Sequence, residues 1–131
     1  MALRIVPRFK LEELTELVQS AGLQDLTEAT WPAFQTEAAK LIGRTVDVYS
    51  RVSGAWDYDN PAKLHRLEYQ KPSGQFKSGF QIELLRGSLS AYYLYSFSQP
   101  NRPVKFAFLK DGESVVGVCL QGENTNAFVL A

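Results

Sequence analysis

The sequence predicts an α+β fold in which two N-terminal helices pack against a curved antiparallel sheet of about five to seven strands. Three observations predict it. Apolar residues recur with a helical period as far as Gly43, the period falls to two from Thr45 onward, and turn-forming residues then recur once per strand length. The 131 residues suit one domain over residues 1–131, helical over about 8–43 and sheet over about 44–131.

In KLEELTELVQSAG, Leu11, Leu14, Leu17, Val18 and Ala21 form one apolar stripe. Glu12, Glu13 and Glu16 lie near the helix N-terminus, where the macrodipole favours them, and Gly22 supplies the left-handed stop. LQDL reads as a connection. A second helix starts at Thr30 or Trp31 with Pro32 in its first turn, buries Phe34, Ala38, Leu41 and Ile42, and closes at Gly43.

Strand-like runs follow: TVDVYSRV, KLHRLEYQ, FQIELL, SLSAYYLYSF, VKFAFLK, SVVGVCLQ and AFVLA. SGAWDYDNPA reads as the loop between the first two. An Asp111-Gly112 turn would pair Phe108 with Val115 and Phe106 with Gly117. An Arg86-Gly87 turn would pair Leu84 with Leu89, Ile82 with Ala91 and Phe80 with Tyr93. Leu89, Ala91, Tyr93, Tyr95 and Phe97 then face the core, and Tyr92 and Leu94 the opposite side. A sheet curved around its helices in this way resembles the cystatin-like and NTF2-like cones. That resemblance concerns the fold and implies no activity.

Charge is uneven although the net charge is zero. Residues 60–110 hold eight Lys or Arg against Glu68 and Glu83, and residues 111–131 hold three acids and no base. A solvated sheet face with countercharges nearby explains this more simply than an acidic partner. The single cysteine, Cys119, excludes an internal disulfide and suits a reducing, cytoplasmic setting. The N-terminus lacks the apolar run of a signal peptide, and no stretch is apolar enough to span a membrane.

Cofactor and metal motifs are missing. There is no phosphate-binding glycine pattern, and one His and one Cys cannot supply a transition-metal site. Asp57, Asp59 and Glu68 have calcium-loop spacing, but Pro61 and Ala62 occupy positions that need an oxygen ligand and a glycine. No cofactor is expected.

For acid–base chemistry in an apolar cavity the candidates are Asp47, His65 and Glu83. An exposed polar face accounts for Asp47 and Glu83, and a hydrogen-bonded structural role accounts for His65. For binding they are Trp56 and Tyr58 on the loop, with Tyr92, Tyr93 and Tyr95 on the ring-rich strand. Tyr93 and Tyr95 stand out because a core position would take Phe without needing a partner for a hydroxyl. Basic residues interleaved with rings, in KPSGQFKSGF and NRPVKF, also fit single-stranded nucleic acid. The inward direction of most of those rings argues against it.

The best functional reading is a non-catalytic binding or assembly module whose partner is a protein, a small apolar ligand or a second copy. Homodimerisation is expected through the second sheet face, carried by Tyr92 and Leu94 with Val116 and Val118. The alternative is a small cofactor-free lyase or isomerase with a Tyr-lined cavity.

Overall fold

The computed structural model describes residues 9–74, 78–97, 103–122 and 124–131. Helix α1 spans Leu11–Ala21, where the backbone N–H of Lys10 donates to Glu13 Oε1 at 3.0 Å. Gly22, at φ 72°, stops it with its N–H on the Val18 carbonyl. Helix α2 spans Trp31–Ala38 after Thr30, with Pro32 in its first turn, and runs into a 3-10 turn at Ala39–Leu41. Both helices lie where the periodicity puts them.

The strands are β1 (Gln24–Asp25), β2 (Thr45–Val52), β3 (Ala55–Gln70), β4 (Gly79–Arg86), β5 (Leu89–Ser96), β6 (Lys105–Asp111), β7 (Ser114–Gln121) and β8 (Thr125–Leu130). They form one antiparallel sheet in the order β1-β6-β7-β8-β2-β3-β4-β5. Two short helices on an eight-stranded sheet correct the expected plan of two helices on five to seven strands. Nothing supports the cystatin-like or NTF2-like cone.

The helices also do not share a side. Alternation in β2 sends Val46 and Val48 to one face, where they join Trp31 and Phe34 from α2, Leu41 from the 3-10 turn after it, Phe80, Ile82 and Leu84 from β4, and Phe128 from β8. The same alternation sends Tyr49 to the other face. There Leu14 and Val18 of α1 cover Ala107, Leu109, Cys119, Ala127 and Val129. Two cores therefore sandwich the strands β6, β7, β8 and β2. The chain signals this in VVGVCL and AFVL, near-continuous apolar runs where one-sided strands would alternate.

The α2 face is concave. The Tyr95 hydroxyl of β5 donates to Asn126 Oδ1 of β8 at 3.2 Å, and the Tyr93 ring meets the Phe128 ring edge-on at 5.9 Å. β5 and β8 are separated in the sheet by β2, β3 and β4, so the sheet must curl for these contacts to form.

SGAWDYDNPA is strand, not loop. Ser53 and Gly54 both have positive φ (53° and 83°), the requirement of a two-residue type I′ turn, and β3 starts at Ala55. Pro61 is tolerated within it because pairing with β4 begins only at Lys63, leaving that side of β3 locally an edge.

Two hairpin registers differ from expectation by a turn type. Gly87 (φ 63°) and Gly112 (φ 67°) occupy the first central turn position while the second keeps negative φ, which is type II′. Arg86 therefore pairs with Leu89, Leu84 with Ala91 and Phe80 with Tyr95. Asp111 pairs with Ser114, and after a bulge Phe108 meets Val118 and Leu109 meets Gly117. In the first hairpin the displacement is two residues, so Tyr93 and Tyr95 keep their inward direction. Leu89, expected in the core, is 74% exposed at the turn end.

Candidate functional site

Asp47 is fully buried on the same face of β2 as Tyr49, and the Tyr58 hydroxyl donates to its Oδ1 at 3.0 Å. Trp56 is buried in the same layer, and the Tyr49 ring packs edge-on against Tyr58 at 5.4 Å. The Tyr49 hydroxyl donates to the Phe9 carbonyl, tying the start of α1 to the sheet. Asp47, Trp56 and Tyr58 thus share the α1 side of the sheet.

His65 and Glu83 meet on a different part of that outer face. β3 bulges between Leu64 and Arg66, so His65 is the extra residue and both it and Arg66 approach Glu83. Glu83 Oε1 lies 3.4 Å from Arg66 Nε and 4.0 Å from His65 Nε2. Arg66, Glu68, Gln81, Glu83 and Tyr92 line a depression of about 30 Å³. That volume holds water but not a substrate of several heavy atoms.

Tyr95 resolves the question raised by inward tyrosines. Its hydroxyl bonds Asn126, whose Nδ2 donates to Ser50 Oγ at 3.1 Å, and its ring stacks on Phe80 at 4.9 Å. Burial first, then Tyr93, pushes its phenol far above the ordinary range. The group is a neutral donor that holds β5 over β8. Tyr95→Phe should cost roughly 1–3 kcal/mol by leaving Asn126 Oδ1 without its donor. A urea titration checks this; an unchanged midpoint would contradict it.

Tyr93 is half-buried. Burial raises its pKa, the Asp59 carboxylate raises it further, and the Arg86 guanidinium opposes both. Arg86 in turn donates through Nη2 to Asp59 Oδ2 at 3.4 Å and to the Asn60 carbonyl at 3.2 Å. Cys119 lies buried in the α1 layer, its thiol pushed up to about 12 by burial against a lowering pull from Arg51. It is packing, not a nucleophile.

Three of the eight basic residues of the segment stand in ion pairs: Arg66 with Glu83 and Glu68, Arg86 with Asp59, and Lys105 with Asp25. Lys77 and Arg102, which belong to the same segment, lie outside the described residues.

What stays open is the edge. β5 ends the sheet, and its Leu89, Tyr92 and Leu94 are 74%, 57% and 60% exposed. Val116 and Val118, expected beside them, are buried, Val118 in the α2 layer. The β5 register with β4 has no bulge, and the strand carries no charge and no proline. In a hairpin closed by two residues the flanking pair is hydrogen-bonded and pairs alternate thereafter. Leu89, Ala91, Tyr93 and Tyr95 therefore bond β4, as does Phe97, whose N–H reaches the Ser78 carbonyl at 3.0 Å. The N–H and C=O groups of Ser90, Tyr92 and Leu94 point outward, away from β4. Sequence reasoning picked Tyr92 but not this edge, which depends on strand order.

Among the described residues no group of three or more His, Cys, Asp or Glu could hold a metal ion, and no helix is long and apolar enough to cross a membrane. No protein-family model matches the chain, and no curated protein matches it. Among solved structures it is similar to the Bacillus subtilis YojF protein, at 12% identity over 84% of this chain and 95% of that one, with a TM-score of 0.40. A likeness that slight carries no argument about function.

Proposed function

We propose that the protein is a non-catalytic assembly module that self-associates through its edge strand β5. The observation that carries this is an outermost strand whose outward main-chain groups at Ser90, Tyr92 and Leu94 meet no partner among the described residues, together with three exposed large apolar side chains. Natural edges are blunted by lysine, proline or bulges. β5 has none of these, which fits an edge meant to be paired.

A second copy satisfies the edge by symmetry. An antiparallel β5–β5 pairing with the two-fold axis at Tyr93 sets Tyr92 opposite Leu94 and Ser90 opposite Ser96. The outward main-chain groups of Tyr92 and Leu94 then all have partners. With no charge on β5, the pairing brings no like charges together.

The lyase or isomerase alternative loses support because Tyr95, the residue that would line its cavity, is engaged by Asn126 and Phe80. Nucleic acid is likewise disfavoured by the ion pairs of the basic segment. A reducing, cytoplasmic setting fits the buried free thiol of Cys119.

Sedimentation equilibrium tests the reading. The wild-type chain should show twice its 14.7 kDa mass at micromolar concentration. Leu94→Pro removes an outward N–H without touching the β4 pairing, and Leu94→Lys adds a charge to the edge. Both variants should sediment as monomers, with stability within about 0.5 kcal/mol of a monomeric reference. A wild-type chain that stays at 14.7 kDa throughout would overturn the proposal.

A further inference from the structure

At the other end of the sheet, β1 covers β6 only at Phe106 and Lys105, opposite Gln24 and Asp25. The Leu26 N–H donates to the Val104 carbonyl at 2.8 Å, so even-numbered residues of β6 turn their main-chain groups toward β1 and odd-numbered ones toward β7. Continuing that alternation, the N–H and C=O of Phe108 and Lys110 point outward beyond the end of β1. A strand paired there would occupy the line that Gly22 and Ser20 would follow had the chain not turned into α1.

A groove of about 440 Å³ occupies that place, lined by Leu17 and Ala21 of α1, by Gln24, and by Phe106, Phe108 and Lys110 of β6. It reaches both layers, since Phe106 and Phe108 pack against the α2 core and Leu17 against the α1 core. Apolar walls stand on either side of the four outward main-chain groups. Among the described residues the one charge on the lining is Lys110, which is exposed, and no acid lines the groove. Beyond Leu17 and Ser20 the surface turns acidic, with Glu13 and Glu16 around a neighbouring hollow.

We propose that this groove receives an extended peptide segment from a protein partner, added antiparallel to β6, with one acidic residue opposite Lys110 and an apolar residue opposite Phe108. A hydrocarbon chain would fill the apolar walls but leave the main-chain groups of Phe108 and Lys110 unpaired, whereas an added strand satisfies both. The apolar residue between the two contacts Leu17, because successive strand side chains alternate. The acidic surface at Glu13 and Glu16 disfavours further acids in that direction. This interaction is separate from the β5 edge and does not depend on self-association.

The probe is a fluorescein-labelled acetyl-Thr-Glu-Val-Val-Thr-amide, titrated with the full chain and read by fluorescence anisotropy. The glutamate faces Lys110 and the second valine faces Phe108. Methylating the backbone nitrogen of that second valine should weaken binding at least about tenfold, because its N–H points at β6. The same methylation on the first valine should change it less than about twofold, because that N–H points away. Lys110→Glu, a substitution at an exposed site, should weaken binding at least about fivefold, and exchanging the peptide glutamate for lysine should restore it. Equal loss from the two methylations, or no saturable binding at millimolar protein, overturns the proposal. So does complete displacement of the peptide by decanoate that itself binds Lys110→Glu undiminished, which would make the groove a lipid site.

Discussion

Trp31→Ala should lower the unfolding free energy by about 3–5 kcal/mol, as loss of a fully buried large ring does. Trp31 is 5% exposed and sits where α2 enters the concave face. Its ring stacks on Phe80 at 4.9 Å and lies 5.6 Å from Phe34 and 6.1 Å from Phe97. Phe80 continues the stack to Tyr95. Removing the indole leaves a cavity beside Phe80, which strand pairing fixes on both sides, and Phe97, whose N–H is held by the Ser78 carbonyl, so the site cannot fully collapse to fill it. Urea denaturation, followed through the remaining Trp56 in the other layer, measures the loss. A cost below about 1 kcal/mol would mean that α2 is not the plug of the concave face.

Gly79→Ala should cost about 3 kcal/mol for a different reason. Gly79 pairs with Gln70 on one side and Ser96 on the other. A methyl group there collides with the Tyr95 carbonyl oxygen and comes within 2.9 Å of its carbonyl carbon and 3.0 Å of the Ser96 Cα. These are main-chain atoms, so no side chain can swing aside. β5 must lift from β4 at this end, and with it the Phe80–Tyr95 stack and the Tyr95–Asn126 bond. Hydrogen exchange at the Phe97 amide, bonded to Ser78 just beyond, should quicken in step with the stability loss. A variant as stable as wild type would show that β5 is not held this closely.

Local patterns made much of this fold legible. The stop at Gly22, the start at Thr30 with Pro32, and the inward parity of Tyr93 and Tyr95 all follow from spacing or turn chemistry that acts over a few residues. Strand order is set by contacts far apart in sequence, and the errors concentrate there. Asp47 and Tyr49 read as a solvent face because nothing nearby in sequence says that α1 will pack on that side of the sheet. The near-continuous apolar runs of β7 and β8 were the available signal of two-sided burial. SGAWDYDNPA resembled a loop because Gly, Asp, Asn and Pro punctuate it, yet Ser53-Gly54 makes the turn and Pro61 falls where β3 is unpaired toward β4. For the site, exposure of Tyr92 and Leu94 followed from their parity. That β5 is an outermost strand did not, because an edge is a property of the whole sheet.

Disulfide trapping at the proposed two-fold axis tests the β5 assembly most directly. In an antiparallel pair centred on Tyr93, the two Tyr93 residues face each other as a non-hydrogen-bonded pair, with Cα atoms about 4.5 Å apart and within disulfide reach. Tyr93→Cys should therefore form a covalent dimer of twice 14.7 kDa under mild oxidation, the buried Cys119 remaining inert. Leu89→Cys, whose counterpart in that register is Phe97, should stay monomeric on the same gel. A Tyr93→Cys chain that remains at 14.7 kDa, or one that is trapped no faster than Leu89→Cys, would contradict pairing through β5.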